Sequence, residues 1–161
     1  MADVVIRELR PEELAEVGDL TVSAYQGLVT DGYSEVLRDV ALRAGEASVL
    51  VGELDGTIAG TVTLVPPSAS ERWRETDEAD TGSIRMMGVA PQHRGHGVGS
   101  ALVAACIARS RDAGWRQLAL VTTADMRSAL PIYLAAGFVR DTSLDRIVAE
   151  DMELLGYRLQ L

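Results

Sequence analysis

Apolar and polar positions along the chain switch between a period near two and one near 3.6. A β-branched run, Val4-Val5-Ile6, stops before Arg10-Pro11, and Pro in a first helical turn followed by Glu12 and Glu13 predicts a helix start. Leu14, Val17, Leu20, Thr21, Ala24 and Tyr25 recur at helical spacing. Gly27, Asp31 and Gly32 break that pattern, and Val36, Leu37, Val40 and Ala41 resume it in a second helix. Residues 48–53 and 57–65 are β-rich runs on either side of Asp55-Gly56, a hairpin signal that predicts an antiparallel pair. Pro66-Pro67 ends the second run, and residues 68–82 follow as a polar, acidic loop expected to be the mobile part of the chain. Residues 84–89 predict a strand and residues 98–111 a helix closed by Gly114. Residues 117–122 predict a strand whose unbroken Leu118-Ala119-Leu120-Val121 implies cover on both faces. A short helix over 128–136 tolerates Pro131 only in its first turn and stops at Gly137, and residues 138–143 and 152–161 read as two last strands. The order β-α-α-β-β-β-α-β-α-β-β predicts an α/β chain, a mixed sheet with helices on both faces.

At 161 residues this is one expected domain, and an apolar fraction of 47% drawn from Ala, Val and Leu implies an aliphatic core. The formal charge of −9 repels phosphate backbones and anionic lipid, which argues against nucleic-acid and membrane partners. The same field would draw cationic ligands. One cysteine, Cys106, excludes an intramolecular disulfide framework; it lies in an apolar helical run with no base beside it, so it reads as core. No apolar stretch approaches the roughly 20 residues of a membrane span, and no secretory leader is visible, which predicts a cytoplasmic protein.

Most information sits in Val89-Ala90-Pro91-Gln92-His93-Arg94-Gly95-His96-Gly97-Val98-Gly99-Ser100, where a strand ends, glycines alternate and a helix begins. Unsatisfied N–H groups at a helix N-terminus, with the positive end of its dipole, favour an anion, and glycines admit a bulky diphosphate to the main chain. A nucleotide P-loop would need a Gly-Lys-Ser or Gly-Lys-Thr ending, and no Lys is present; the G-x-G-x-x-G spacing of dinucleotide sites fails as well. A merely tight turn rarely needs three alternating glycines. His93 and His96 lack a companion carboxylate or cysteine, so loop exposure, with no metal, is the better reading.

Gln92-His93-Arg94-Gly95-His96-Gly97 resembles the Q/R-x-x-G-x-G/A motif of the GNAT superfamily of N-acetyltransferases. Downstream, Ala129 to Phe138 resembles that family's A-x-x-x-Y-x-x-x-G-F signature, so the resemblance covers residues 48–138 and, by element order, nearly the whole chain. It implies the GNAT fold, a mostly antiparallel mixed sheet flanked by helices, and acetyl-CoA as co-substrate. The main chain of Arg94, Gly95, His96, Gly97, Val98, Gly99 and Ser100 would hold the pyrophosphate. The edge of Met87-Gly88-Val89 would pair with pantetheine, in a strand that the family breaks with a bulge. Met126 stands where many relatives have an Asn contacting the CoA arm, and Arg94 and Arg127 are candidates to face phosphates.

Amine attack on a thioester gathers charge on oxygen and expels thiolate. The resemblance assigns the oxyanion to the Val89 backbone amide and the sulfur proton to Tyr133. The family's base does not carry over, because Ser83 stands at the position of its Glu; Glu71, Asp77, Glu78, Asp80, Glu53 and water remain candidates. Tyr25, Tyr33 and Trp73 are candidates to line the acceptor site, where aromatics beside acids suit a cation with an apolar part. The leading reading is direct acetyl transfer, through a tetrahedral intermediate, to the primary amine of a small molecule. A protein N-terminus or lysine as acceptor, and a non-catalytic CoA-binding module, stay open, as does a homodimer.

Overall fold

Residues 3–148 and 151–161 are described by a computed structural model. β1 (Val4–Glu8) pairs antiparallel with β2 (Ser48–Leu54), which turns through Asp55-Gly56 into β3 (Thr57–Val65). Both turn residues take positive φ, 51° and 78°, as a two-residue hairpin requires. β3 pairs antiparallel with β4 (Thr81–Val89), and β4 runs parallel to β5 (Gln117–Thr122). β8 (Met152–Gln160) lies antiparallel to β5 and also pairs with the short β6 (Val139–Arg140) and β7 (Arg146–Val148). The sheet order is β1-β2-β3-β4-β5-β8-β6 with β7 attached to β8.

Helices cover both faces, which is why β2, β3 and β5 read as unbroken apolar runs. On one face α4 (Val98–Asp112) sets Leu102, Val103 and Cys106 against Leu50, Val62 and Leu120, with α5 (Leu130–Ala136) alongside. On the other, α1 (Leu14–Ala24) and α3 (Val40–Ala44) pack Val17 and Val40 on Val49 and Val51, and α2 (Asp31–Arg38) buries Leu37 beside Tyr25 and Trp73. No helix among the described residues is long and apolar enough to cross a membrane.

Three expectations change. The second helix is two: Asp39 leaves helical geometry at ψ 71° and its carboxylate caps α3 at Leu42 N–H, 3.1 Å. The carbonyls this break frees on α2, at Val36 and Leu37, accept from the fully buried Arg43 at 3.2 and 2.8 Å. β4 starts at Thr81 rather than 84, because polar residues there find buried partners: Thr81 Oγ1 accepts from Gln117 at 2.8 Å, and Ser83 Oγ from Glu75 N–H at 3.0 Å. The second-last strand is cut to Val139–Arg140 by a turn that Asp141 caps at Ser143, and β7 forms instead.

Candidate active site

β4 ends at Val89, a 3-10 turn over Pro91–His93 follows, and Gly95 and Gly97 both take φ +82° before α4 begins at Val98. That left-handed conformation costs an L-residue about 1–2 kcal/mol each, so the turn requires its glycines. No side chain caps α4, so the first-turn amides at Val98, Gly99 and Ser100 face outward as donors. They open on a groove of about 900 Å³. Of the predicted binding residues, Met87 through Val89, Met126, and Arg94 through Ser100 line it, except His96. The His96 ring turns onto the loop's own carbonyls, its Nδ1 lying 3.2 Å from His93 O and 3.0 Å from Arg94 O. Arg94 donates to Ala24 O at 3.3 Å, fastening the turn to the end of α1, and Arg127 lines the groove as well.

β4 carries the bulge. Met86 and Met87 together stand opposite Val62, Met86 has φ +52°, and pairing with β5 is confined to residues 81–83. Beyond the bulge the two parallel strands part, leaving an open edge. Ala90 N–H donates to Ala59 O at 2.8 Å, and N–H groups of successive strand residues point to opposite sides. The Val89 N–H therefore points away from β3, into the gap.

Tyr133 lies on α5, its ring edge-on to Phe138 with centroids 5.8 Å apart, and it lines a second cavity of about 310 Å³. Groove and cavity meet at Tyr25, Met87, Met126 and Ala129, which border both. Burial holds the Tyr133 phenol well above its ordinary value, so it stays protonated at neutral pH. The same burial pushes the neighbouring Cys106 thiol up to about 12, which keeps that cysteine inert.

Tyr25 and Tyr33 line the small cavity, but Trp73 does not. Only 2% exposed, Trp73 packs on Tyr25, Val65 and Met86, donates to Glu46 at 3.0 Å, and takes the Arg85 guanidinium over its ring at 5.7 Å. It buttresses the wall from behind, and it anchors a segment expected to be mobile. The base candidates also fall elsewhere. Glu53 pairs with Arg7, Asp77 with Arg74 and Glu78 with Arg158, and neither Glu71 nor Asp80 borders the cavity. The loop carboxylate that does border it is Glu75, which no motif marked.

A helix N-terminus opening on a groove beside a splayed strand edge offers main-chain donors to an anion and an unpaired edge to an amide, end-on to a small cavity. The model of the acetyltransferase (GNAT) family matches residues 14–138, and the chain belongs to that family of acyltransferases. Mycothiol acetyltransferase of Cellulomonas flavigena is 36% identical over 99 residues, covering 62% of this chain and 28% of that protein. The chain thus spans about a third of the length of the curated relatives it matches. A GNAT acetyltransferase from Staphylococcus aureus superposes with TM-score 0.77 at 15% identity, covering 99% of both chains. Another from Brucella melitensis, in complex with acetyl-CoA, gives TM-score 0.67 at 23% identity, covering 99% of this chain and 88% of that one. These likenesses show the GNAT fold.

Proposed function

We infer that the chain transfers an acetyl group from acetyl-CoA to the primary amine of a small molecule by direct attack. The observation that carries this reading is the junction at Met87 and Met126 of a groove rich in main-chain donors with a small cavity holding Tyr133. The fit of the arm rests on the uncapped amides of Val98, Gly99 and Ser100 and on the open edge of β4. Fold neighbours in complex with acetyl-CoA or coenzyme A support the same choice. When bound, acetyl-CoA supplies an acyl group on a thiol leaving group.

The Val89 N–H faces the gap and would donate to the developing oxyanion, and an aligned donor of that kind is worth about 10²–10³ in rate. Tyr133 would protonate the departing sulfur. A buried phenol is a weak acid, but burial disfavours the charged form of a thiol as well, so a thiolate released into the same surroundings is correspondingly basic. The two groups therefore stay matched closely enough for transfer across a short hydrogen bond. At about 310 Å³ the cavity is at the lower end of small-molecule sites and favours a compact acceptor over a folded protein segment.

Incubating the purified chain with acetyl-CoA and a panel of small amines and peptides, with detection of released thiol, tests this reading. Turnover with small amines is expected. Turnover with peptides alone would overturn the small acceptor, and binding of acetyl-CoA without any turnover would leave a binding module.

A further inference from the structure

Among the described residues the cavity that holds Tyr133 is lined by three charged side chains, and their balance is opposite to that of the chain. Glu75, with 2% of its side chain exposed, forms an ion pair with Arg85 Nε at 3.1 Å through one oxygen and accepts a hydrogen bond from Arg146 Nη2 at 2.5 Å through the other. Arg85 is otherwise committed, donating to Arg72 O at 2.9 Å, Trp73 O at 3.4 Å and Tyr33 Oη at 3.4 Å. Arg146 is not. Its side chain is 41% exposed, and among the described residues its Nε and Nη1 have no partner. β7 presents it inward by simple alternation: Arg146 and Val148 border the cavity, while Ile147 between them is 72% exposed on the other face. One carboxylate against two guanidiniums leaves a surplus positive charge in a chain whose net charge is −9. The hydroxyl of Thr123, buried and also at the cavity wall, has no partner among the described residues. Much of the remaining wall is apolar, including Val29, Met86, Met152 and Leu154.

We propose that the acceptor is a small amine that also carries a carboxylate and an apolar body, of the α-amino-acid type, with its carboxylate seated on Arg146 and its amine directed toward Tyr133 and Val89. This rests on the acetyl-transfer reading and narrows it. An acceptor bearing only an ammonium would bring a cation next to a surplus cation in a small cavity, and like charges at close range repel. A carboxylate neutralises the surplus, and a guanidinium whose Nε and Nη1 have no partner among the described residues matches its two oxygens. The apolar wall leaves room for an aliphatic or aromatic side chain but offers it no charged partner. The overall acidity of the chain therefore mispredicts the cavity: long-range attraction of cations ends at a mouth guarded by arginine.

The experiment compares kcat/KM for free amino acids with apolar side chains against their carboxamides, in wild type and Arg146→Gln, at saturating acetyl-CoA. The wild type is expected to prefer the carboxylate at least tenfold, the size of one charge-assisted hydrogen bond (about 1.5–3 kcal/mol, tenfold per 1.4). In Arg146→Gln that ratio falls to about one. A wild type that uses the amides as well as the acids, or a ratio that survives the substitution, overturns the proposal. If no acceptor releases thiol at all, the acetyl-transfer reading has failed, and titration of the same pairs into CoA-saturated protein then decides the site by itself. Carboxylate-dependent binding that Arg146→Gln removes supports it; equal binding of acid and amide, or binding of neither, overturns it.

Discussion

The groove and the cavity touch at Met87 and Met126, yet they are built of different material. Along the groove the working groups are main-chain amides, exposed because Gly95 and Gly97 turn the chain and because β4 is bulged at Met86. Around the cavity they are side chains brought from distant parts of the sequence, with Glu75 and Arg146 71 residues apart. On the proposed reading the main-chain site would fix what every acceptor reaction shares, the grip on the arm. A side-chain site is free to change without disturbing that grip, so the two halves should respond separately to substitution.

The largest separation is expected from Tyr133→Phe. The phenyl ring keeps the edge-on contact with Phe138 and loses only the hydroxyl, so the fold and the groove should be unaffected. Turnover measured by thiol release should fall about 100-fold or more, the usual contribution of a placed general acid, while calorimetry returns the same affinity for acetyl-CoA. Unchanged turnover would make Tyr133 a packing residue and leave the cavity a site that selects the acceptor without protonating the leaving group.

Gly97→Ala asks the reverse question. A methyl group at φ +82° costs about 1–2 kcal/mol of backbone strain in the turn. The KM for acetyl-CoA should then rise roughly tenfold, at 1.4 kcal/mol per decade, with no change in preference among acceptors. A shift in acceptor preference would show that the two halves are coupled through the turn.

The same difference in material explains what the sequence discloses. Contiguous signals were legible: the glycines at 95 and 97, the helix stop at Gly137 with φ +106°, the Asp55-Gly56 hairpin and the order of the main elements. Trp73 was an aromatic in an acidic loop, and only the packing of that loop turns it toward Met86 and away from the cavity. Glu75 looked like its exposed neighbours, since nothing local distinguishes a carboxylate that two guanidiniums will enclose. A three-residue strand carries too few positions to show a period, which hides β7, and Arg146 with it, from the sequence pattern. Asp39 ends α2 by capping its successor, a choice the apolar spacing of Val36, Leu37 and Val40 does not reveal.

The smallest effect concerns neither half but the frame beneath both. Arg7 on β1 donates to Glu13 at 2.8 and 2.6 Å and to Glu53 at 2.9 and 2.7 Å, tying the entry of α1 to the sheet edge. The Arg7 guanidinium and the Arg10 N–H lower the Glu13 carboxyl from 4.5 to about 2. Bonds from Ser143 and then Arg158 likewise lower Asp141 from 3.8 to about 2. Carboxylates whose folded values lie below their unfolded ones contribute stability that is present above about pH 4.5 and lost as pH falls toward 2. Glu13→Gln should cost roughly 1–2 kcal/mol at pH 7 in thermal or urea unfolding, and the gap to wild type should close on acidification. Since α1 ends at Ala24, where Arg94 fastens the glycine turn, a loosened entry that also raised the KM for acetyl-CoA would mean the groove draws its rigidity from the far end of that helix. Stability lost at unchanged KM values would instead make the turn self-supporting, held by its own glycines and by α4.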